Sequence, residues 1–95
     1  MYYYILEPPS SRAVRQTYQR LRDLLTNLGI AGEMVAASPA RTPEELSIMG
    51  LEKGYSTIVA VGGDAFVGRI AQSIIGQSVL GVIPVGEAVQ ISQII

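Results

Sequence analysis

The chain has 95 residues and a net charge of −1, and its seven basic residues are too dispersed to form a nucleic-acid-binding patch. It contains no cysteine and no histidine, which excludes disulfides, thiolate metal sites and the commonest general base, so we predict no metal site built from its side chains. Without a signal peptide or an apolar run of about 20 residues, we expect a cytoplasmic protein with no transmembrane segment.

The first two elements are a strand and an amphipathic helix. Residues 2–6 are aromatic and β-branched, which predicts a strand that ends before Pro8. The following helix is capped by Ser10 or Ser11 and ends at Gly29. Its apolar positions recur at three- and four-residue steps and predict a face that packs on a sheet. They are Val14, Tyr18, Leu21, Leu25 and Leu28.

A weaker strand and a second helix follow. Residues 33–37 predict the strand, which ends at Ser38. Thr42 is suited to cap the second helix, with Pro43 in its first turn, and Gly54 ends it. The inward-facing residues of this helix are predicted to be Leu46, Met49 and Leu51.

The most informative stretch is a strand that leads through two glycines into a third helix. Residues 57–61 predict a strand that is buried on both faces, and Gly62, Gly63 and Asp64 follow it directly. Unpaired N–H groups at a helix N-terminus attract anions, and glycine lets a phosphate approach them. The alternative is a tight turn that binds nothing, with Asp64 as a helix cap. This helix should end at Gly76 and face inward with Phe66, Ile70, Ile74 and Ile75.

The alternation of strands and helices predicts one domain, residues 1–95, with a three-layer α/β/α fold and a parallel sheet. Residues 79–85 predict a fourth strand, and residues 87–95 fit either a helix or a strand. Ligands of such sheets bind at the carboxyl ends of the strands, where the strand order reverses. Four loops should meet there: Glu7–Pro9, Ala37–Ser38, Gly62–Asp64 and Pro84–Gly86.

Two motifs resemble the catalytic domain of diacylglycerol kinases, whose superfamily includes sphingosine kinases and, more distantly, NAD kinases. The first is the strand that ends in Gly62-Gly63-Asp64, and the second contains Pro84 and Gly86. The resemblance covers nearly the whole chain. It implies a Rossmann-like N-terminal domain that binds ATP with Mg²⁺ and that is completed by a larger, β-rich domain. The nucleotide-contacting positions that it implies are Ser10, Ser38, Gly62, Gly63, Asp64, Ala65 and Gly86.

The chain departs from the family pattern at several ligand-contacting positions. Ala65 replaces a glycine and Phe66 a threonine, Glu7 replaces an asparagine, Glu87 replaces a threonine, and an Asn-Asp pair is absent. We identify no catalytic base. Two hypotheses follow: a nucleotide-binding domain of a lipid kinase that is not active alone, or a non-catalytic domain that acts in oligomerisation or regulation. A receiver-like or flavodoxin-like module fits less well. A single acidic residue at the carboxyl ends of the strands is a poor match to an acidic phosphorylation pocket, and no flavin-binding hydroxyl cluster is visible.

A partner is expected under either hypothesis. The hydrophobic share of 48% is high for a domain of this size, so a second copy or a missing C-terminal domain should cover part of the surface. Phe66 and the apolar segment Val89–Ile95 are the predicted contact positions.

Overall fold

A computed structural model describes residues 1–29 and 32–85, in which strands and helices alternate. The elements are β1 (Tyr2–Leu6), α1 (Arg12–Asn27), β2 (Gly32–Ala36), α2 (Pro43–Glu52), β3 (Thr57–Gly62), α3 (Asp64–Ile74) and β4 (Val79–Pro84). The strands pair in parallel in the order β2-β1-β3-β4. This confirms the predicted α/β fold with a parallel sheet.

Helices cover both faces of the sheet. Successive strand residues point to opposite sides, so the strands present apolar side chains to helices on each face. The face under α1 buries Tyr4, Leu6, Val59 and Val61 of the strands against Val14 and Leu21 of the helix. The other face buries Tyr3, Ile5, Ile58 and Ala60 against Leu46 of α2 and Phe66, Ile70 and Ile74 of α3. Residues 58–61 are all buried, so β3 is enclosed on both sides, as its apolar run predicts.

The helices begin and end where local chemistry predicts. Ser11 caps α1, since its Oγ accepts a 3.2 Å hydrogen bond from the backbone nitrogen of Val14, so of the two predicted caps Ser10 is wrong. Thr42 caps α2 as expected. A glycine with positive φ follows each helix, a conformation that other residues rarely adopt. These glycines are Gly29, Gly54 and Gly76.

Some predicted boundaries are wrong by one residue. β2 spans Gly32–Ala36 rather than residues 33–37, because the register with β1 ends at Ala36. β4 ends at Pro84 rather than at Val85. Leu28 and Ile75 were expected in the core but are 63% and 79% exposed. Each follows the last residue of its helix, at the end of the apolar pattern.

Within the described residues, no helix combines the length and the apolar character needed to cross a bilayer. The predictions made for Gly86, Glu87 and residues 89–95 lie outside the described residues.

Candidate functional site

The carboxyl ends of the parallel strands meet at one edge of the sheet, which we call the rim. The chain leaves β1 toward β2 on one side and later leaves β3 toward β4 on the other, so the strand order reverses between β1 and β3. Open α/β sheets bind their ligands at this point. Glu7 follows β1 and Gly63 follows β3, so the loops that begin there flank the switch point.

The turn after β3 feeds directly into a helix N-terminus. Gly63 is the N-cap residue of α3, and Asp64 is the first residue of the helix. N–H groups in the first turn have no partner within the helix, and the helix dipole adds partial positive charge there. Gly63 has φ −82° and ψ 175°, an extended conformation that any residue adopts. Its backbone conformation therefore does not require glycine.

The two glycines of this turn differ in what surrounds them. A Cβ at Gly62 would lie 2.8 Å from the Cβ of Glu7 and 3.0 Å from the ring of Phe66. Within residues 1–29 and 32–85, a Cβ at Gly63 would have only the Oε1 atom of Glu7 near it, at 3.7 Å. Close packing thus accounts for Gly62. Among the described residues, no close contact accounts for Gly63.

The Glu7 side chain makes a polar contact with this turn. Its Oε1 atom accepts a hydrogen bond of 2.9 Å from the backbone N–H of Gly63. From the sequence alone, Glu7 stands out only as a substitution in the loop after the first strand. The contact between Glu7 and Gly63 could be found only from the strand order, which the sequence does not give. These first residues after β1 and β3 become neighbours because the two strands pair.

The backbone of Glu7 is held independently of its carboxylate. Its N–H donates to the carbonyl of Val61 at 2.8 Å, and its carbonyl accepts from the Tyr18 hydroxyl at 2.6 Å. Burial and the nearby charge of Glu7 raise the pKa of Tyr18 to about 12, so this hydroxyl keeps its proton at neutral pH.

The other residues predicted at the turn have different surroundings. Asp64 follows the N-cap, so its expected role as the cap residue is wrong, and its exposed carboxylate lies where the helix dipole favours negative charge. Ala65 is exposed beside it. Phe66 is only 5% exposed and packs in the core, so its expected role in an interface finds no support. Ser10 is exposed in the loop after β1.

A groove of about 280 Å³ opens beside the glycine turn. It lies between the loops after β1 and β2 and the first turns of α2 and α3, and its lining includes Glu7, Ser38, Thr42, Phe66 and Arg69. The Oγ of Ser38 accepts a 3.1 Å hydrogen bond from the N–H of Arg41. The fold therefore brings Ser38 to the same groove as Glu7, whose carboxylate contacts Gly63.

The family model of the diacylglycerol kinase catalytic domain matches residues 2–93. The chain belongs to the diacylglycerol kinase catalytic domain family. The resemblance seen in its motifs is thereby confirmed, and the rim is part of a lipid-kinase-like catalytic domain. A comparison with curated proteins finds no match.

The basic side chain in the groove of this lipid-kinase-like domain is already paired. Two hydrogen bonds of 2.7 Å join the Arg69 guanidinium to the two carboxylate oxygens of Glu44. The guanidinium lowers the pKa of Glu44, and the carboxylate raises the pKa of Arg69. The pair links α2 to α3 and leaves the groove without net positive charge from Arg69.

The glycine turn of this diacylglycerol kinase domain is in contact with a carboxylate of the chain itself. The Glu7 carboxylate uses the N–H of Gly63 and adds negative charge where a phosphate would lie. In residues 1–29 and 32–85, acidic side chains do not form a group of three that could hold a metal ion. The Gly63 amide is therefore already bound to an anionic oxygen of the chain itself.

Proposed function

We propose that this chain is the ATP-binding unit of a lipid-kinase-type protein and that it does not transfer a phosphoryl group by itself. The Gly63 amide carries the proposal. It lies at the strand-order switch point, at a helix N-terminus, and already donates a hydrogen bond to an anionic oxygen. A nucleotide phosphate is the anion that membership of this family leads us to expect there.

The proposed contacts follow the rim. The phosphates of ATP, with their Mg²⁺, would lie against Gly62, Gly63, Asp64 and Ala65, and the groove beside Ser38 would receive another part of the nucleotide. Ser10 and Gly86 are the remaining proposed contacts. A groove of about 280 Å³ is at the lower limit of small-molecule pockets. It therefore suits part of a nucleotide, which favours a cleft that a second domain completes.

Inactivity of the chain alone follows from its charges. Phosphoryl transfer depends on positioning and on stabilising negative charge. Here Glu7 and Asp64 add negative charge to the turn, and Glu44 already pairs with Arg69. We therefore propose that residues 1–95 form one nucleotide-binding domain and that a β-rich domain supplies the acceptor site and the base. We also propose that the protein acts in the cytoplasm, where ATP is available.

Titration of the ¹⁵N-labelled chain with ATP and Mg²⁺ tests the nucleotide proposal. We expect the amide signals of residues 63–65 to shift at millimolar ATP. Gly63→Ala should weaken binding about tenfold, since a methyl group would hold the phosphate away from the amide. Gly68→Ala is the matched control, because no atom in the described part of the chain lies within 4 Å of the added Cβ. Unchanged signals and an unchanged melting temperature at millimolar ATP would overturn the proposal.

A second candidate function is a non-catalytic domain that acts in oligomerisation or regulation. The hydrogen bond between Glu7 and Gly63 favours it, because it satisfies the turn without any ligand. Exposed apolar side chains at Ile75 and Val79 suit a contact with a second copy of the chain. Sedimentation velocity should then detect a dimer that Ile75→Gln weakens. A wild-type monomer at high concentration would contradict this function.

A further inference from the structure

The Gly63 amide can serve only one strong acceptor at a time. Its N–H points at the Oε1 atom of Glu7, 2.9 Å away. A phosphate oxygen that accepts from the same N–H would lie in contact with the Oε1 atom of Glu7. Both oxygens carry negative charge, so they repel one another. Phosphate and carboxylate therefore exclude one another at this amide.

The carboxylate of Glu7 can move without unfolding the rim. The backbone of Glu7 is fixed by its hydrogen bonds to Val61 and Tyr18, and neither of these bonds involves the carboxylate. The side chain also lines the groove of about 280 Å³, which gives it room to rotate away from the turn. Rotation of this side chain is therefore compatible with the same backbone.

Little else holds the carboxylate in place. Within the described residues, the salt bridges join Lys53 to Glu33 and Arg69 to Glu44, and neither pair includes Glu7. The N–H of Gly63 is the hydrogen-bond partner of its carboxylate in this part of the chain. A single hydrogen bond to a charged acceptor is strong enough to compete with a ligand and weak enough to be displaced.

We infer that the Glu7 carboxylate is an internal competitor that occupies the anion site at Gly63 and must rotate away from the turn before a phosphate-bearing ligand binds. This inference deepens the proposed function and rests on it in one respect, namely that the displaced position receives a nucleotide phosphate. Glu7 is thus a gating residue at the rim. Removing its carboxylate should strengthen phosphate binding by about tenfold, the effect of one charge-assisted hydrogen bond.

The test compares wild-type protein with Glu7→Ala and with Glu7→Gln, which keeps the side-chain size and removes the charge. Glu52→Gln is the matched control, because it removes one negative charge from an exposed residue at the opposite end of α2. Each protein is titrated calorimetrically with inorganic pyrophosphate and, separately, with ATP and Mg²⁺. The amide signal of Gly63 is followed by NMR, and melting curves establish that each variant is folded.

The two ligands separate the inference from the proposed function. Tighter binding of both ligands by the Glu7 variants, with Glu52→Gln like wild type, supports both. Equal affinity of wild type and the Glu7 variants for ATP overturns the gate and leaves nucleotide binding intact. Pyrophosphate binding gained without any ATP binding supports the gate and overturns the nucleotide proposal. No binding of either ligand by any protein overturns both.

Discussion

The Tyr18 hydroxyl donates a 2.6 Å hydrogen bond to the backbone carbonyl of Glu7 and so ties α1 to the loop after β1. This bond is made by a residue of the helix stripe that the sequence assigns to packing alone. Because Glu7 is also the residue that contacts Gly63, the hydroxyl holds the backbone from which that carboxylate extends. The position of the carboxylate at the rim therefore depends on α1 as well as on the sheet.

Replacing Tyr18 with phenylalanine should destabilise the fold by about 1 kcal/mol. The ring would still pack, but the partly buried carbonyl of Glu7 would lose its hydroxyl donor. Urea denaturation at pH 7 measures the change in the free energy of unfolding. Tyr2→Phe, which removes a hydroxyl from an exposed ring, is the control. If both variants were as stable as wild type, the bond would contribute nothing to stability.

The same bond predicts a loss of stability at high pH. The pKa of Tyr18 is raised from 10.0 to about 12, chiefly by burial and also by the charge of Glu7. A raised pKa in the folded state means that this stabilisation is complete below pH 10 and is lost as the pH rises toward 12. The free-energy difference between wild type and Tyr18→Phe should therefore shrink between pH 10 and 12. A constant difference across that range would show that Tyr18 titrates normally.

The two glycines of the turn should respond differently to alanine. Gly62→Ala places a methyl group 2.8 Å from the Cβ of Glu7, so we expect a loss of about 1–3 kcal/mol from overpacking. Gly63→Ala meets no atom of the described residues closer than 3.7 Å and should lose less than about 1 kcal/mol, since only the N-cap preference changes. Chemical denaturation of both variants measures this order. Equal losses would mean that Gly63 is also needed for packing.

Much of the fold follows from local patterns in the sequence. The enclosed run at residues 58–61 and the Thr42-Pro43 helix start depend on neighbours along the chain, and both are confirmed. Predictions weaken where a pattern ends. Leu28 and Ile75 continue the apolar spacing of their helices, but each lies one residue beyond the last helical position and is exposed.

The candidate site is less predictable because it depends on which strands are neighbours. Alternating strands and helices indicate a parallel sheet but leave its strand order open. Only the pairing of β1 with β3 brings the carboxylate of Glu7 to the amide of Gly63. The glycine turn could thus be located from the sequence, whereas the side chain that uses its amide could not.

The Arg69 guanidinium should control the titration of Glu44. It lowers the pKa of Glu44 below the ordinary value of 4.5, so the stabilisation is present above that pH and is lost as the pH falls through the lowered pKa. In Arg69→Gln the carboxyl signal of Glu44 should titrate closer to 4.5. Because both side chains are about half exposed, the melting temperature at pH 7 should change little. An unchanged titration of Glu44 would contradict the pairing.

Alanine at Gly50 of α2 tests how tightly this helix packs on the sheet, and alanine at Gly68 of α3 serves as the comparison. A Cβ at Gly50 would lie 2.6 Å from the Tyr3 ring and 2.7 Å from the Cδ1 atom of Ile58, both fully buried. Alanine favours a helix by about 1 kcal/mol over glycine, whereas overpacking costs about 1–3 kcal/mol. We therefore expect Gly50→Ala to be destabilising overall.

Gly68→Ala gives the opposite expectation, because its Cβ meets no atom of residues 1–29 and 32–85 within 4 Å and only the helix preference remains. This variant should be more stable than wild type by about 0.5–1 kcal/mol. Urea midpoints of the two variants should therefore shift in opposite directions. A shift of both midpoints to higher urea would contradict this prediction. It would mean that the sheet moves to admit the methyl group at Gly50, and that α2 packs less tightly on Tyr3 and Ile58 than these distances indicate.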